Sequence, residues 1–308
     1  MKCLSKRTVL TIGLVVVALG WLRPGLVFAQ QIRVVATWPA LADITRQIGK
    51  ELVNVDTLAT GVEDPHGVPM KPSFVPRLNR ADLLVLIGLD DELSWLPALL
   101  EVASNPKLLP GQPGYLDCSV GIPVAESPSI RDRSEGDLHP KGNPHYLLDP
   151  IYTKIAAQNI ASGLSRNFPQ HQATFEKNLK SYITELDSWI VRWEKMTAPL
   201  KGVKFVEYHQ EWVYFANRYG LKRIGAVELK PGIEPTPNHI VSLVQQIKQE
   251  KAKVLLYGAQ NPRIPEQIAN ETGIKALRLY SSSGGRPETD SYIKWIDYTV
   301  RTLVQSSS

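Results

Sequence analysis

The stretch FEKNLKSYITELDSWIVRWEKM, Phe175 to Met196, decides how the rest of the chain is divided. Phe175, Leu179, Tyr182, Leu186, Trp189, Trp193 and Met196 recur at alternating spacings of four and three, with Glu176, Lys177, Lys180, Glu185, Asp187, Arg192 and Glu194 between them. This is the period of one helix with a single apolar stripe; counted from Pro169 it runs for about 28 residues, roughly 40 Å at 1.5 Å per residue. A stripe that long can pack against two bodies at once, so residues 166–198 are expected to form a rigid strut between lobes. A self-associating coiled coil is the competing reading, disfavoured because only about three heptads are present and aromatics crowd the seam.

On both sides of the strut strand and helix alternate, which argues an α/β class with mainly parallel sheets. In the first lobe, residues 30–165, Ile32 to Ala36 reads as a strand, and Leu41, Ile44 and Ile48 as the face of a helix stopped by Gly49. Strands follow at 52–58, 83–87 and 115–118, with helices after Pro72-Ser73 and over 93–102; the fully apolar Leu83-Leu84-Val85-Leu86-Ile87 suits the buried centre of a parallel sheet. The second lobe, residues 199–308, repeats the rhythm, with strands at 203–208, 254–257 and 276–280. Its helices are expected at 212–219, after Pro235-Thr236-Pro237-Asn238, at 264–271 and at 292–304. Residues 121–144 carry Pro123, Pro128, Pro140 and Pro144 and read as a surface loop that contains His139.

Lys2, Lys6 and Arg7 ahead of an apolar run from Val9 to Leu22, then Val27-Phe28-Ala29, describe a cleaved signal peptide over residues 1–29. Export to the periplasm follows. The formal balance of 35 basic against 30 acidic side chains becomes 31 against 30 once Lys2, Lys6, Arg7 and Arg23 leave with the signal, so a nucleic-acid partner is not expected. Of the two cysteines only Cys118 stays in the exported chain, which excludes an intrachain disulfide and a cysteine metal site.

Three histidines stand in marked settings: His66 in Glu63-Asp64-Pro65-His66, His145 in Asn143-Pro144-His145-Tyr146-Leu147-Leu148-Asp149-Pro150, and His209 in Val206-Glu207-Tyr208-His209. Prolines confine the backbone around His145 and present its imidazole from a stiff loop. Three neutral imidazoles meeting at one point would suit Zn²⁺, a borderline-soft ion that prefers nitrogen and sulfur donors. His66 and His209 also follow strand ends, where open α/β sheets bind ligands. Taken alone, each histidine reads more readily as a structural, hydrogen-bonded side chain than as a ligand. Glu207 and Asp149 are expected either to orient an imidazole or to cap a helix. His171 and His239, near helix starts, are expected to face solvent.

Along nearly all its exported length the chain resembles the periplasmic solute-binding proteins of ABC importers for zinc and manganese, the cluster A-I or cluster 9 family. The resemblance rests on Asp64-Pro65-His66 with Lys71-Pro72-Ser73, Ala81-Asp82-Leu83, Gly142 to Pro150, Tyr208-His209 with Tyr214-Phe215, Gly232-Ile233-Glu234-Pro235-Thr236-Pro237, and Ile268-Ala269-Asn270-Glu271-Thr272-Gly273, six pieces in one order. It implies two α/β lobes joined by one long helix, a metal in the cleft between them, and His66, His145 and His209 as its ligands. A histidine at the third position favours the zinc type over the manganese type. The family's fourth ligand, an aspartate, falls on Ser281-Ser282 here; a water or one of Glu63, Asp64, Glu207, Glu228 and Glu234 would have to serve instead. The acidic, histidine-rich loop of many zinc-binding members shrinks to Asp137 and His139.

The expected function is capture of Zn²⁺ by a monomer and its delivery to an ABC permease, without covalent chemistry. Mn²⁺ or iron as the cargo is the nearest alternative. A zinc hydrolase, with three histidines and an open water position, is the alternative from another class, but no H-E-x-x-H helix is present to support it.

Overall fold

The computed structural model describes residues 31–126, 141–229 and 232–307. The signal peptide expected over residues 1–29, and Asp137 and His139 of the proline-rich loop, lie outside the described residues.

Short β-branched runs build two sheets of the same plan. Ile32–Ala36 (β1), Val53–Thr57 (β2), Leu83–Leu86 (β3) and Tyr115–Asp117 (β4) form one sheet in the order β2-β1-β3-β4. Lys204–Glu207 (β5), Lys222–Ala226 (β6), Val254–Tyr257 (β7) and Lys275–Arg278 (β8) form the other in the order β6-β5-β7-β8. Every neighbouring pair is parallel, with Val34 opposite Leu83 in the first sheet and Phe205 opposite Val254 in the second. Both β3 and β7 are buried at every position, because helices cover both faces of a parallel sheet; hence their unbroken apolar spelling.

The helices are Pro39–Gly49 (α1), Phe74–Arg80 (α2), Leu96–Ala103 (α3), Pro150–Asn167 (α4), Gln172–Thr197 (α5), Val213–Tyr219 (α6), Pro237–Glu250 (α7), Arg263–Thr272 (α8) and Tyr292–Ser307 (α9). Stop signals act where the sequence places them: Gly220 and Gly273 take the left-handed conformation after α6 and α8, at φ of 74° and 77°. Thr236 caps α7 by accepting from the His239 backbone N–H.

The strut α5 spans 26 residues, about 39 Å. Phe175, Tyr182, Leu186, Ile190, Trp193 and Thr197 form its buried edge, set against α1 and α4 on one side and α9 on another. The closing helix α9 follows the second sheet in sequence yet reaches the first half. The Tyr292 N–H donates to Asp43 Oδ2 (2.8 Å), the Tyr292 hydroxyl donates to the Leu147 carbonyl (2.9 Å), and Thr153 Oγ1 donates to that hydroxyl (2.8 Å).

Two elements escape the sequence pattern for opposite reasons. Helix α4 buries Ala156, Ala157, Ala161 and Gly163 alongside only Ile160 and Leu164 as large aliphatics; the small residues let neighbours approach closely and leave no continuous bulky stripe to read. A Cβ at Gly163 would fall 1.7 Å from Leu116 Cδ1. Strand β6, Lys-Arg-Ile-Gly-Ala, lies at a sheet edge with Lys222 and Arg223 exposed and Ile224 and Gly225 half-buried, so no apolar alternation marks it. The surface-loop reading of 121–144 is corrected at its end: Asn143 and Pro144 are buried, and the Asn143 N–H donates to the Ala125 carbonyl at 2.9 Å.

Asp149 does local and long-range work together. It caps α4 by accepting from Ile151 N–H (2.9 Å), and Arg218 Nε contacts both its oxygens at 2.9 and 3.0 Å. Asp149→Ala is expected to cost about 2–3 kcal/mol, a lost cap plus a broken pair, discounted because the arginine is partly solvated. Urea unfolding checks it; a loss below about 0.5 kcal/mol would show that both contacts are idle.

Candidate metal centre

Each of the three histidines sits just beyond a sheet or in a loop held by side-chain bonds to the backbone. After β2 the chain turns over Asp64, whose Oδ1 accepts the His66 N–H at 2.9 Å, and Glu63 Oε2 accepts the Thr60 N–H and hydroxyl at 2.8 and 2.7 Å. Asn143 Oδ1 accepts the His145 N–H at 3.0 Å, and the neighbouring Tyr146 hydroxyl donates to the Ile87 carbonyl at the end of β3. His209 leaves the end of β5, where Tyr208 N–H donates to the Leu256 carbonyl of β7 at 2.7 Å.

These loops are also tied to one another. Asn143 Nδ2 donates to the Gln210 carbonyl at 2.7 Å, joining the residue two before His145 to the residue after His209. The Tyr214 hydroxyl donates to the Asn143 carbonyl at 2.7 Å.

The structure brings the three imidazoles together. Ring centroids of His66 and His145 lie 5.7 Å apart, His145 and His209 5.4 Å, and His66 and His209 5.1 Å. One ring nitrogen from each falls within 4.8 Å of the others, and among the described residues this is the one such group of three or more histidine, cysteine or acidic side chains. His145 and His209 are 8% and 3% exposed, so a cation there would be held by side chains largely out of water.

Carboxylates lie behind two of the rings. Glu228 Oε2 is 3.0 Å from His209 Nδ1, and Asp91 Oδ1 is 3.9 Å from His66 Nδ1. At 3.0 Å the Glu228 carboxylate fixes the tautomer of His209 and aims its other nitrogen, the usual support of a metal-binding imidazole, whereas Asp91 stands beyond hydrogen-bond reach of His66 and acts on it only through charge. The same surroundings separate the two rings electrostatically. Burial, helped by the neighbouring His209, pushes His66 down to about 4. Burial also works against a charged His209, but the Glu228 hydrogen bond and the charges of Glu211, Glu228 and Asp64 outweigh it and raise the ring to about 9. Burial raises the Asp91 carboxyl well above its ordinary value and the Glu211 carboxyl to about 7.

The other acids named from the sequence have different work. Glu207 is fully buried, accepts the backbone N–H groups of Glu211 and Trp212 at 3.2 and 2.9 Å, and pairs with Arg223 Nη1 at 2.7 Å. It takes neither expected role: the N–H groups it accepts belong to the turn before α6, while Asp149 does cap its helix and Glu228 is the carboxylate hydrogen-bonded to an imidazole. Glu234 is exposed. His239 is half-buried, with Nε2 2.9 Å from the Ala226 carbonyl, instead of facing solvent freely. Sequence reasoning missed Asp91 and Glu211. Asp90-Asp91-Glu92 directly follows β3, and the rule that ligands gather beyond strand ends was the available signal.

A small cavity of about 20 Å³, room for one water, lies beside His145 and is lined by Trp38, Asp91, Leu147, Ser281 and Ser282 among others. A model of the family described as "ZnuA: Zinc-uptake complex component A periplasmic" matches residues 34–306. The chain belongs to this family. The ZnuA family is one of solute-binding proteins and is not enzymatic. Among its relatives, the zinc-binding lipoprotein AdcA of Streptococcus pneumoniae (strain ATCC BAA-255 / R6) is 25% identical over 293 residues, 90% of this chain and 56% of AdcA. The chain thus spans little more than half the length of the first curated relatives it matches. The manganese ABC transporter substrate-binding lipoprotein PsaA of Streptococcus pneumoniae serotype 4 is 26% identical over 287 residues, 90% of this chain and 89% of PsaA. A crystal structure of ZnuA shares the fold at a TM-score of 0.76 and 25% identity, covering 90% of this chain and 100% of that one. Relatives named for zinc and for manganese therefore stand at equal distance. No helix among the described residues is long and apolar enough to cross a membrane.

Proposed function

We propose that this chain is an extracytoplasmic, monomeric binding protein that captures Zn²⁺ with His66, His145 and His209 and hands it to an ABC permease. The division into a first lobe to residue 165, a strut and a second lobe from 199 is part of the same reading. One observation carries it: three imidazole nitrogens from loops far apart in sequence gathered within 4.8 Å. An all-nitrogen triad suits zinc better than manganese, which favours oxygen donors. Membership in a solute-binding family supports capture and release over hydrolysis.

Competition titration of the exported chain with Zn²⁺ and Mn²⁺ tests the choice. Stoichiometric zinc binding, at least a hundredfold tighter than manganese by our expectation from donor softness, supports it; equal affinity or a preference for manganese overturns it.

Uptake should also release protons. At pH 7 His66 is already neutral, whereas His209, raised to about 9, must lose a proton before it can bind. Zinc uptake is expected to release about one proton, and apparent affinity to rise about tenfold per pH unit from 7 to 9. Calorimetry in buffers of different ionisation enthalpy measures this; zero release would contradict ligation by His209. Without zinc the sign reverses. The raised His209 stabilises the fold below about pH 6.5, and that contribution fades as pH rises through about 9.

A further inference from the structure

Asn143 is 3% exposed and uses both ends of its amide. Oδ1 accepts the His145 N–H at 3.0 Å, while Nδ2 donates to the Gln210 carbonyl at 2.7 Å and to Glu126 Oε2 at 3.1 Å. One planar group thus grips the backbone of His145 and the backbone next to His209, where Gln210 lies 67 residues beyond Asn143. A reversed amide would set Oδ1 against a carbonyl and a carboxylate, so its partners fix its orientation. Glu126 in turn pairs with Arg223, Arg223 Nη1 with Glu207 Oε1 at 2.7 Å, and Glu207 Oε2 accepts the N–H groups of Glu211 and Trp212. The turn after His209 is therefore held twice by one connected set of side chains. His66 is held separately: Asp64 accepts its N–H, and the Ser94 hydroxyl donates to its carbonyl.

We propose that Asn143 is a positioning residue for the metal centre, whose amide sets the separation of His145 and His209 and with it the size of cation the two grip together. Their ring centroids lie 5.4 Å apart. A buried hydrogen bond faces no competition from water, so this link keeps its length before the ion arrives. Ligands held in place in advance cost less to order on binding and disfavour an ion that needs longer bonds. The inference rests on the metal-capture reading above and adds to it the residue that fixes the distance between two of the ligands.

The test titrates the purified exported chain with Zn²⁺ and with the larger Cd²⁺. Asn143→Asp keeps the shape and the acceptor for the His145 N–H, but turns an oxygen towards the Gln210 carbonyl and Glu126, which breaks the link. It is expected to weaken zinc binding about tenfold to a hundredfold, the range for losing a group that supports a metal ligand, and cadmium binding by less than about threefold. The zinc-to-cadmium ratio therefore falls. Asn143→Ala removes the same link without adding a charge and should shift the ratio in the same direction. Tyr214→Phe takes the hydroxyl from the Asn143 carbonyl, leaves the amide in place and should keep the parental ratio. Bound Co²⁺ gives an independent reading, because its visible absorption follows coordination geometry and should change in both Asn143 variants. An Asn143 variant that keeps the parental ratio overturns the inference, whether it binds both metals as the parent does or loses both equally, as a merely loosened fold would. So does Tyr214→Phe if it shifts the ratio as far. A parent chain that takes up no zinc overturns the reading beneath as well, so the two failures are distinguishable.

Discussion

Replacing His145 with alanine is expected to weaken zinc binding by about a thousandfold or more. Zinc bound by three or four protein ligands carries an apparent free energy on the order of 10 kcal/mol or above, so one bond of the set represents roughly 3–4 kcal/mol, and each 1.4 kcal/mol is a factor of ten. The site offers no replacement: no fourth histidine, cysteine or acid joins His66, His145 and His209 among the described residues. The neighbouring backbone is held by Asn143 and Tyr146, not by the imidazole, so the loop should keep its place. Competition with a calibrated chelator measures the loss. His171→Ala serves as the comparison, since that ring packs against Phe175 at the start of the strut. If both variants bind zinc equally, the centre lies elsewhere. Saturating zinc should raise the thermal midpoint of the parent and barely move that of His145→Ala, because stabilisation by a ligand follows its affinity for the folded state.

The second large effect is on stability. Trp193→Ala is expected to cost about 3–5 kcal/mol, the range for emptying a buried tryptophan site. Trp193 is fully buried on α5, and its indole N–H donates to Asp297 Oδ1 of α9 at 3.2 Å. The strut is packed from several sides, so the cavity has little freedom to collapse. Trp189, one turn earlier and partly exposed, should cost less than half as much on the same change. Urea unfolding of both variants decides; equal losses would mean that the buried edge of the strut is misassigned.

Much of this architecture is spelled locally. The 4-3 spacing of the strut, the apolar runs of β3 and β7 and the glycine stops after α6 and α8 each follow from contacts within a few residues, so sequence alone is sufficient to read them. Helix α4 was not legible because its packing relies on alanine and glycine, whose value lies in what they leave out. Strand β6 was not legible because an edge strand needs only its backbone to pair.

The sequence by itself determined the α/β class, the strut and which three histidines to watch, for those depend on residue type and spacing. Only the tertiary structure decided that the three meet and that Asp91 and Glu228 stand behind two of them. The reason is physical: His66, His145 and His209 are brought together by chain closure and by cross-links such as Asn143 to Gln210, and no local propensity encodes a distance between residues so far apart in the chain.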